Sequence, residues 1–432
     1  MIKMLKQPWH WPIHWQILLA LLLAVVVGVI FDESTQVLGV SLLSITSYLG
    51  SLFLNALKML IVPLIVSSII AGMMGLDADM LGRLGGKTLL YYLSTSMLAI
   101  LTGLVMVNLI QPGIIDGVAA NASIGLVSNT DEALKNVEGR GPSDVADVFL
   151  RMIPANVIAA AAEGQMLGLI FFSLLFGYFV SRLKDPFATA QQHFWQGLLA
   201  IMMQMTNLVM KFAPLGVFAL VCKVVLVSGL EAIRPLAWFF ITVILALGLH
   251  LFVTLPLILK TIARVRPMRH FNAMLPALLT AFSTSSSSAT LPVTMECVET
   301  RARVSNRVSG FTLPLGATVN MDGTALYECV AAMFIAQIYG IELGFTTQLT
   351  VVMIALLTSI GVAGIPSASL VAISIILGAI GLPLEAVGLI LVVDRVLDMC
   401  RTAVNVFSDS CCAVTIARLE GENAVLGEIA RK

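Results

Sequence analysis

Six polar side chains lie close together in one stretch of this chain: Asp394, Asp398, Arg401, Thr402, Asn405 and Asp409, with Val, Leu, Ile, Met, Ala and Phe filling most positions around them. Counted from Asp394 the others stand 4, 7, 8, 11 and 15 residues on. At about 100° per residue all six fall within a sector of roughly 100°. One face of an otherwise apolar helix is therefore polar. In a membrane each ionisable group at a helix centre costs at least about 2.5–3.5 kcal/mol, so a face like this marks a ligand or ion pathway. A solvated surface stripe does not suit such apolar surroundings. A structural ion pair between Asp394 and Arg401 is the other reading, and it leaves Asp398 and Asp409 without partners.

Further upstream the chain reads Asn320-Met321-Asp322-Gly323-Thr324, followed by Glu328. A glycine at this point lets a helix unwind and turn carbonyl groups toward a ligand. Asp322, Glu328, Asp394, Asp398 and Asp409 make five acids against Arg401, a formal excess of four negative charges. Cations must neutralise such a site. Carboxylate, carbonyl and hydroxyl oxygens are the donors that hard cations such as Na⁺ prefer. Arg401 offers a planar fork of donors that matches a carboxylate, so the co-ligand is an organic anion.

The elements that hold these residues follow from composition. The chain has 432 residues, 58% hydrophobic and only 12% charged, and its mean hydropathy is +0.97. A soluble protein carries about 25% charged residues. Such a shortage excludes a cytoplasmic enzyme, a secreted protein and a nucleic-acid binder. Acids and bases balance at 25 each, so no charge excess invites a polyanion. The reading is an integral membrane protein. Cys222, Cys297, Cys329, Cys400, Cys411 and Cys412 show no metal-ligand spacing and read as small buried hydrophobes. Lys3 and Lys6 precede an apolar run too long for a signal peptide, with no small-residue cleavage site. Trp9, Trp11 and Trp15, with His10 and His14, read as an interfacial belt.

A crossing helix needs about 20 apolar residues. Candidate spans run over 14–31, 40–74, 86–112, 150–181, 196–228 and 232–259, with three or four more after 270. Basic residues place Lys3, Lys6, Arg83, Lys87, Arg182, Lys184, Lys260, Arg264, Arg266 and Arg269 on the cytoplasmic side. Asp32, Glu33, the long loop 113–149 and the region of Glu231 then lie outside.

Alternation fails at the next segment, 271–298. Bases flank it on both sides, Arg264 to Arg269 before and Arg301, Arg303 and Arg307 after. At its middle is Ser283-Thr284-Ser285-Ser286-Ser287-Ser288-Ala289-Thr290-Leu291-Pro292. Hydroxyls followed by proline can break a helix and satisfy the freed backbone groups, which predicts a re-entrant hairpin. A full crossing with a small-residue packing face is the competing reading. After a crossing at 308–338, segment 345–380 carries a second break, Gly361-Val362-Ala363-Gly364-Ile365-Pro366-Ser367-Ala368-Ser369. Two interrupted segments in corresponding positions predict an inverted repeat with a binding site at its interface.

At these residues the sequence closely resembles the dicarboxylate/amino acid:cation symporters, a family that includes the excitatory amino acid transporters and archaeal aspartate transporters; an archaeal member is a standard example of inverted-repeat architecture. The matching motifs are Thr284 through Pro292, Asn320 through Thr324, Gly364-Ile365-Pro366, and Asp394 through Asp409. They stand in family order over the C-terminal half. The resemblance implies an all-α polytopic protein with eight transmembrane helices, two re-entrant helical hairpins, inverted repeats and an elevator-type mechanism, assembled as a homotrimer. It also implies a division of the chain. Residues 1–85 (helices 1–2) and 150–230 (helices 4–5) would be scaffold. Residues 86–112 and 231–418 would be the transport domain, with 113–149 an extracellular loop and 419–432 a cytoplasmic tail.

Residue by residue, the resemblance implies that Arg401 binds the substrate's side-chain carboxylate and Asp398 its α-ammonium. Thr402, Asn405, Ser286 and Ser287 would surround the α-carboxylate and α-ammonium, with Thr324 near the side chain. Gly364 and Ile365 would belong to an extracellular gate. Three sodium sites carry over in the same way. Gly316, Asn320, Asn405 and Asp409 match one, and carbonyls near Thr318, Met321, Ser359, Ile360 and Val362 match a second. Tyr92, Thr95, Ser96, Asn320 and Asp322 match the third. Ser285, where archaeal relatives place arginine, and Glu328, at the position of a proton-carrying glutamate, resemble the excitatory branch. Proton co-transport through Glu328 is therefore expected, a structural hydrogen-bonded Glu being the other reading. Val362 replaces a hydroxyl residue of some relatives, and Phe407-Ser408-Asp409 departs from relatives with glycine before the aspartate.

The expected function is a secondary transporter, not an enzyme: Na⁺- and H⁺-coupled uptake of L-glutamate and L-aspartate, with no cofactor beyond the coupling ions. Arg401 argues against a neutral amino-acid carrier of the family and Asp398 against a C4-dicarboxylate carrier. An intramembrane aspartyl protease lacks its Gly-x-Gly-Asp-type motif here, and Arg401 with its hydroxyl neighbours suits a solute better than the bare ion of a channel. Expected partners are the small-molecule substrate and membrane lipid, with no nucleic acid. The short outside loop points to a bacterial inner membrane, with both termini cytoplasmic; the sequon Asn121-Ala122-Ser123 would matter only in a secretory-pathway host.

Overall fold

The computed structural model describes residues 13–74, 84–120, 153–163, 166–229, 233–361, 369–383 and 387–426, apart from Glu33 and Leu38. Helices dominate. In order they are α1 (Ile13–Ile30), α2 (Leu42–Met74), α3 (Gly86–Ile110), α4 (Val157–Ala162), α5 (Met166–Val180), α6 (Phe187–Lys211), α7 (Ala213–Ser228) and α8 (Ile233–Ala263). Then come α9 (Pro267–Thr284), α10 (Ser287–Glu296), α11 (Asn306–Val319), α12 (Asp322–Ile338), α13 (Phe345–Gly361), α14 (Ser369–Ile380) and α15 (Val387–Leu419). The described strands form two short antiparallel hairpins, Gln36–Val37 with Val40–Ser41 and Ile114–Ile115 with Val118–Ala119. Helices suit an apolar medium because each satisfies its own backbone hydrogen bonds.

Among the described residues two helices, Gly86–Ile110 and Ile233–Ala263, are long and apolar enough to cross a membrane unbroken, and α6 with α7 would form a third span bent by 53°. The expected spans are therefore more broken than the apolar runs suggested. The run at 150–181 divides into α4 and α5, and that at 196–228 starts at Phe187 and turns at Phe212. The run at 232–259 continues to Ala263 through two π-helical turns, His250–Thr254 and Leu259–Ala263.

Packing sorts the helices into two groups. α1 lies against α7, and α2 against α5, α6 and α7; α12 and α15 gather α3, α8, α9, α11 and one another. Where helices meet most closely, one of them has no side chain. A Cβ on Gly216 would overlap the Phe53 ring, and one on Gly28 would overlap Val225. Small residues let helices approach in lipid, where packing rather than water release joins them.

Two breaks place polar groups in the interior. α9 ends at Ser285 in the left-handed conformation, φ 52°, with its N–H donating to the Ala281 carbonyl at 2.9 Å. Ser286 then caps α10, its Oγ accepting from the Ala289 N–H at 3.2 Å. Thr290 Oγ1 donates back to the Ser286 carbonyl at 2.8 Å. The hydroxyls of this tip satisfy the backbone groups that the break frees, as their composition predicted. The second break separates α11 from α12 at Asn320 and Met321, where the Gly323 N–H donates to Asn405 Oδ1 at 2.7 Å. A third, between Gly361 and Ser369, lies outside the described residues.

At the far end of the chain, residues beyond α15 are fastened to the ends of α3, α8 and α9 and to the turn after α10. Lys87 pairs with Glu420, Ser305 donates through both N–H and Oγ to Glu422, and Arg269 donates to the Leu426 carbonyl at 3.1 Å. At the opposite strand pair, Arg234 grips Asp116 with both terminal nitrogens, at 2.9 and 3.1 Å. That contact holds the Asp116 carboxyl below its ordinary range. A carboxyl lowered on folding contributes stability above its unfolded value, near pH 4, and loses it as the pH falls. Because both partners are exposed, Arg234→Gln should shift the melting temperature by no more than about 1 °C at pH 7. Melting curves at pH 7 and pH 3 check this, the difference being smaller at the lower value.

Candidate functional site

α15 brings its polar face against α11 and α12, and the site assembles around the break at Asn320. Asp409 is buried and accepts from Asn320 Nδ2 at 2.9 Å. Asn320 Nδ2 also donates to Ser408 Oγ at 3.1 Å, and Thr95 Oγ1 donates to Asn320 Oδ1 at 3.4 Å. Asp322, fully buried, accepts from Ser96 Oγ at 2.7 Å on one oxygen and from Ser408 Oγ at 2.6 Å on the other. The tyrosine hydroxyl of Tyr92 donates to the Thr312 carbonyl at 2.7 Å. Carboxylates, amide oxygens, hydroxyls and carbonyls thus crowd into an apolar interior, a donor set suited to small hard cations.

Gly316 belongs to this cluster because nothing larger fits. A Cβ there would run into Asp409 Oδ1 and lie 2.6 Å from Tyr92 Oη. On the expectation that this cluster holds Na⁺, Gly316→Ala should push the Asp409 carboxylate out of place and weaken binding of the ion. Thermal stability measured with and without Na⁺ checks this: a variant that folds but is less stabilised by sodium is the expected outcome.

A second cluster sits about two to four helical turns earlier on α15. Arg401 is fully buried. Its Nη1 donates to Ser369 Oγ at 2.7 Å, and its Nη2 donates to Asp394 Oδ1 at 3.0 Å and Asp398 Oδ1 at 2.8 Å. The guanidinium lies over the Tyr327 ring with its carbon 3.9 Å from the centroid, a cation–π contact that fixes its plane. Its Nε has no hydrogen-bond partner. A buried, oriented guanidinium with a donor to spare has the chemistry to receive a carboxylate. Thr402 is buried beside it, its Oγ1 donating to the Asp398 carbonyl at 2.8 Å. Asn405 joins the two clusters: Nδ2 donates to Thr324 Oγ1 at 3.1 Å while Oδ1 caps Gly323.

Glu328 is fully buried on α12, with Oε2 accepting from Thr358 Oγ1 at 2.9 Å and Oε1 unpartnered. Ser286 and Ser287 are buried at the first hairpin tip, and Ser359 is buried near the end of α13. Thr318 and Met321 flank the second break. Ile360 stands in α13, whereas Val362, Gly364 and Ile365 lie outside the described residues.

Three features differ from the sequence expectation. Asp398 and Asp409 do have partners, Arg401 and Asn320, because neighbouring helix turns and a second helix supply them. The charge count of five acids against Arg401 leaves out Arg395, which is 7% exposed and 3.6 Å from Asp398, so the excess is three. Arg395 falls about 100° from Asp394 on the helix, at the margin of the polar sector. Third, His250 was not singled out, yet its Nε2 lies 3.1 Å from Asp322 Oδ2 with both side chains buried. A lone histidine within an apolar span was the available signal. Ser408, at the position where relatives carry glycine, leaves α15 unbroken and adds its hydroxyl to the network.

A model of the sodium:dicarboxylate symporter family matches residues 13–419 of this chain. Excitatory amino acid transporter 3 of Homo sapiens is 37% identical over 402 residues, covering 84% of this chain and 76% of its own length. The proton/sodium-glutamate symport protein of Geobacillus stearothermophilus is 34% identical over 375 residues, 87% of each chain. Excitatory amino acid transporter 2 of Homo sapiens is 37% identical over 407 residues, 84% of this chain and 71% of its own length.

Proposed function

The chain belongs to the sodium:dicarboxylate symporter family, and on that premise we propose that it takes up L-glutamate and L-aspartate together with Na⁺ and a proton. The observation that carries the substrate assignment is the buried pair of opposite charges on adjacent turns of α15. Arg401, with its spare Nε, faces a carboxylate; Asp398, one turn back, faces an ammonium. An acidic amino acid presents both groups. The hydroxyls of Thr402, Ser286 and Ser287 and the amide of Asn405 complete its surroundings, and Thr324 lies toward its side chain.

Sodium coupling rests on the oxygen cluster about two turns further along. Asp409, Asn320, Asn405 and the Gly316 region would hold one ion. Asp322 with Tyr92, Thr95, Ser96 and Asn320 would hold another, and carbonyls near Thr318, Met321, Ser359, Ile360 and Val362 a third. Because Asn405 bonds to Thr324 on one side and to the Gly323 N–H beside the Asn320–Met321 break on the other, ion binding would orient a group that the substrate then uses. That is a physical basis for coupling: each ligand lowers the ordering cost of the next. In the proposed elevator, α3 and residues 231–418 move as a transport domain against a scaffold of residues 1–85 and 150–230. Eight crossing helices and two re-entrant hairpins make up each subunit, three subunits form the complex, and the segment around Gly364 and Ile365 serves as the outer gate. Both termini would be cytoplasmic, in a bacterial inner membrane.

The deciding experiment is uptake of radiolabelled L-aspartate into proteoliposomes with and without an inward Na⁺ gradient. Sodium-driven uptake blocked by glutamate but not by succinate or serine supports the assignment. Uptake driven by a proton gradient alone would keep the family and remove the sodium sites.

Proton coupling is assigned to Glu328, which has one oxygen tied to Thr358 and the other without a partner. Glu328→Gln keeps the shape and the hydrogen bond to Thr358 but cannot carry a proton. The variant should still exchange substrate across the membrane while losing the pH dependence of net uptake. An entrapped pH dye reads the result directly: aspartate-driven acidification persisting in Glu328→Gln would assign the proton elsewhere.

A further inference from the structure

α15 carries a second intramembrane arginine whose role nothing above explains. Arg395 is 7% exposed, and its Nε and Nη1 make no hydrogen bond. The nearest acid is Asp398, whose Oδ2 lies 3.6 Å from Arg395 Nη1 while its Oδ1 accepts from Arg401. Buried donors without acceptors are costly, and a buried arginine more so. Packing alone is a poor reason to keep one here, because an apolar side chain of similar volume would fill the same space without that cost.

Charge accounts for it. The substrate cluster contains Asp394 and Asp398 against Arg401, a net charge of −1 if those three stand alone. Adding Arg395 brings the four to zero. The substrate inferred above carries two carboxylates and one ammonium, a net charge of −1. In a buried site, salt screens this monopole little, so the sum over nearby groups weighs on affinity alongside the individual contacts.

Resting on that reading of the substrate site, we propose that Arg395 is a specificity-determining residue that cancels the charge of the second aspartate and so lets the site prefer an anionic amino acid over its neutral isostere. Arg401 supplies the directional fork to one carboxylate. Arg395 acts through Asp398, lying beside Oδ2 while Oδ1 accepts from Arg401, so that the carboxylate which would receive the ammonium is held from both sides. It is a positioning and charge-balancing group, with no direct bond to the substrate required.

The test compares wild type, Arg395→Lys and Arg395→Gln in proteoliposomes, using inhibition of labelled L-aspartate uptake by unlabelled L-aspartate and L-asparagine. Wild-type uptake of L-aspartate is the prior condition; its failure would remove the substrate reading itself, whatever the variants do. Given that uptake, Arg395→Gln should lower the preference for aspartate over asparagine at least tenfold. Arg395→Lys, which keeps the charge, should stay within about threefold of wild type. A role confined to packing shifts both competitors together. An unchanged aspartate-to-asparagine ratio in Arg395→Gln would overturn the proposal.

Should Arg395→Gln fail to fold, Arg395→Met, which keeps an extended side chain without the charge, takes its place in the same comparison. A lowered aspartate-to-asparagine preference in that variant supports the proposal, and an unchanged ratio overturns it.

Discussion

Arg401→Ala should abolish uptake of L-aspartate and L-glutamate while leaving sodium binding in place. The guanidinium is fully buried, fixed by Ser369, Asp394 and Asp398 and by the Tyr327 ring, and its Nε is free for a carboxylate. A charge-assisted hydrogen bond is worth about 1.5–3 kcal/mol, and a bidentate pair makes two. At about 1.4 kcal/mol per tenfold, losing both lowers affinity for the acidic substrate by more than roughly 100-fold. A second effect has the same sign, because Asp394 and Asp398 would face the substrate carboxylate without their shared counter-charge. Arg401→Lys separates the two causes. Lysine keeps the charge but not the planar fork, so it should recover little acidic uptake. Neutral amino acids make no demand on the fork, so thermal stabilisation of the variant by serine should be no weaker than that of the wild type. Breaking a buried ion pair destabilises by about 3–5 kcal/mol, so each variant is first checked for thermal stabilisation by Na⁺. A folded, sodium-responsive Arg401→Ala protein that still takes up glutamate would refute the role given to this arginine.

The second large effect is on the cation. Asp409→Asn keeps the size of the side chain and removes one negative charge from the cluster around Asn320. Asp409 is 3% exposed and lies where Gly316 leaves room for it. Its contact with a cation is charge-assisted, about twice as strong as the neutral contact an amide oxygen would make. The sodium concentration giving half-maximal uptake should rise roughly 10- to 100-fold, from a loss of about 1.5–3 kcal/mol. The apparent affinity for aspartate, measured at saturating sodium, should change much less. Both quantities come from one set of uptake curves at varied Na⁺ and varied substrate. An unchanged sodium curve would show that Asp409 is not a sodium ligand. Asp322 makes a useful comparison, because Ser96, Ser408 and His250 already engage its two oxygens.

Much of this protein was legible before any fold was drawn. Composition excludes a soluble fold, since 12% charged residues cannot cover the surface of a 432-residue chain. Helical periodicity alone put Asp394, Asp398, Arg401, Thr402, Asn405 and Asp409 on one face, because 3.6 residues per turn is a local property. The break at Ser285 and Ser286 was legible for the same reason: neighbouring hydroxyls satisfy the groups that a chain reversal frees. What tertiary structure alone decided is which distant groups meet. Asn320 bonds to Asp409 across 89 positions and Thr95 to Asn320 across 225. His250 reaches Asp322 because α8 takes a π-helical turn at that point, and no sequence period announces such a turn. The roles of the two arginines are likewise non-local. Arg401 and Arg395 stand on the same helix, yet Arg401 is tied by Ser369 and by the Tyr327 ring, whereas among the described residues Arg395 pairs with Asp398 of its own helix. Residue type and spacing determine which charges a helix must bury, while the partners that make burial tolerable come from other helices, through packing in three dimensions.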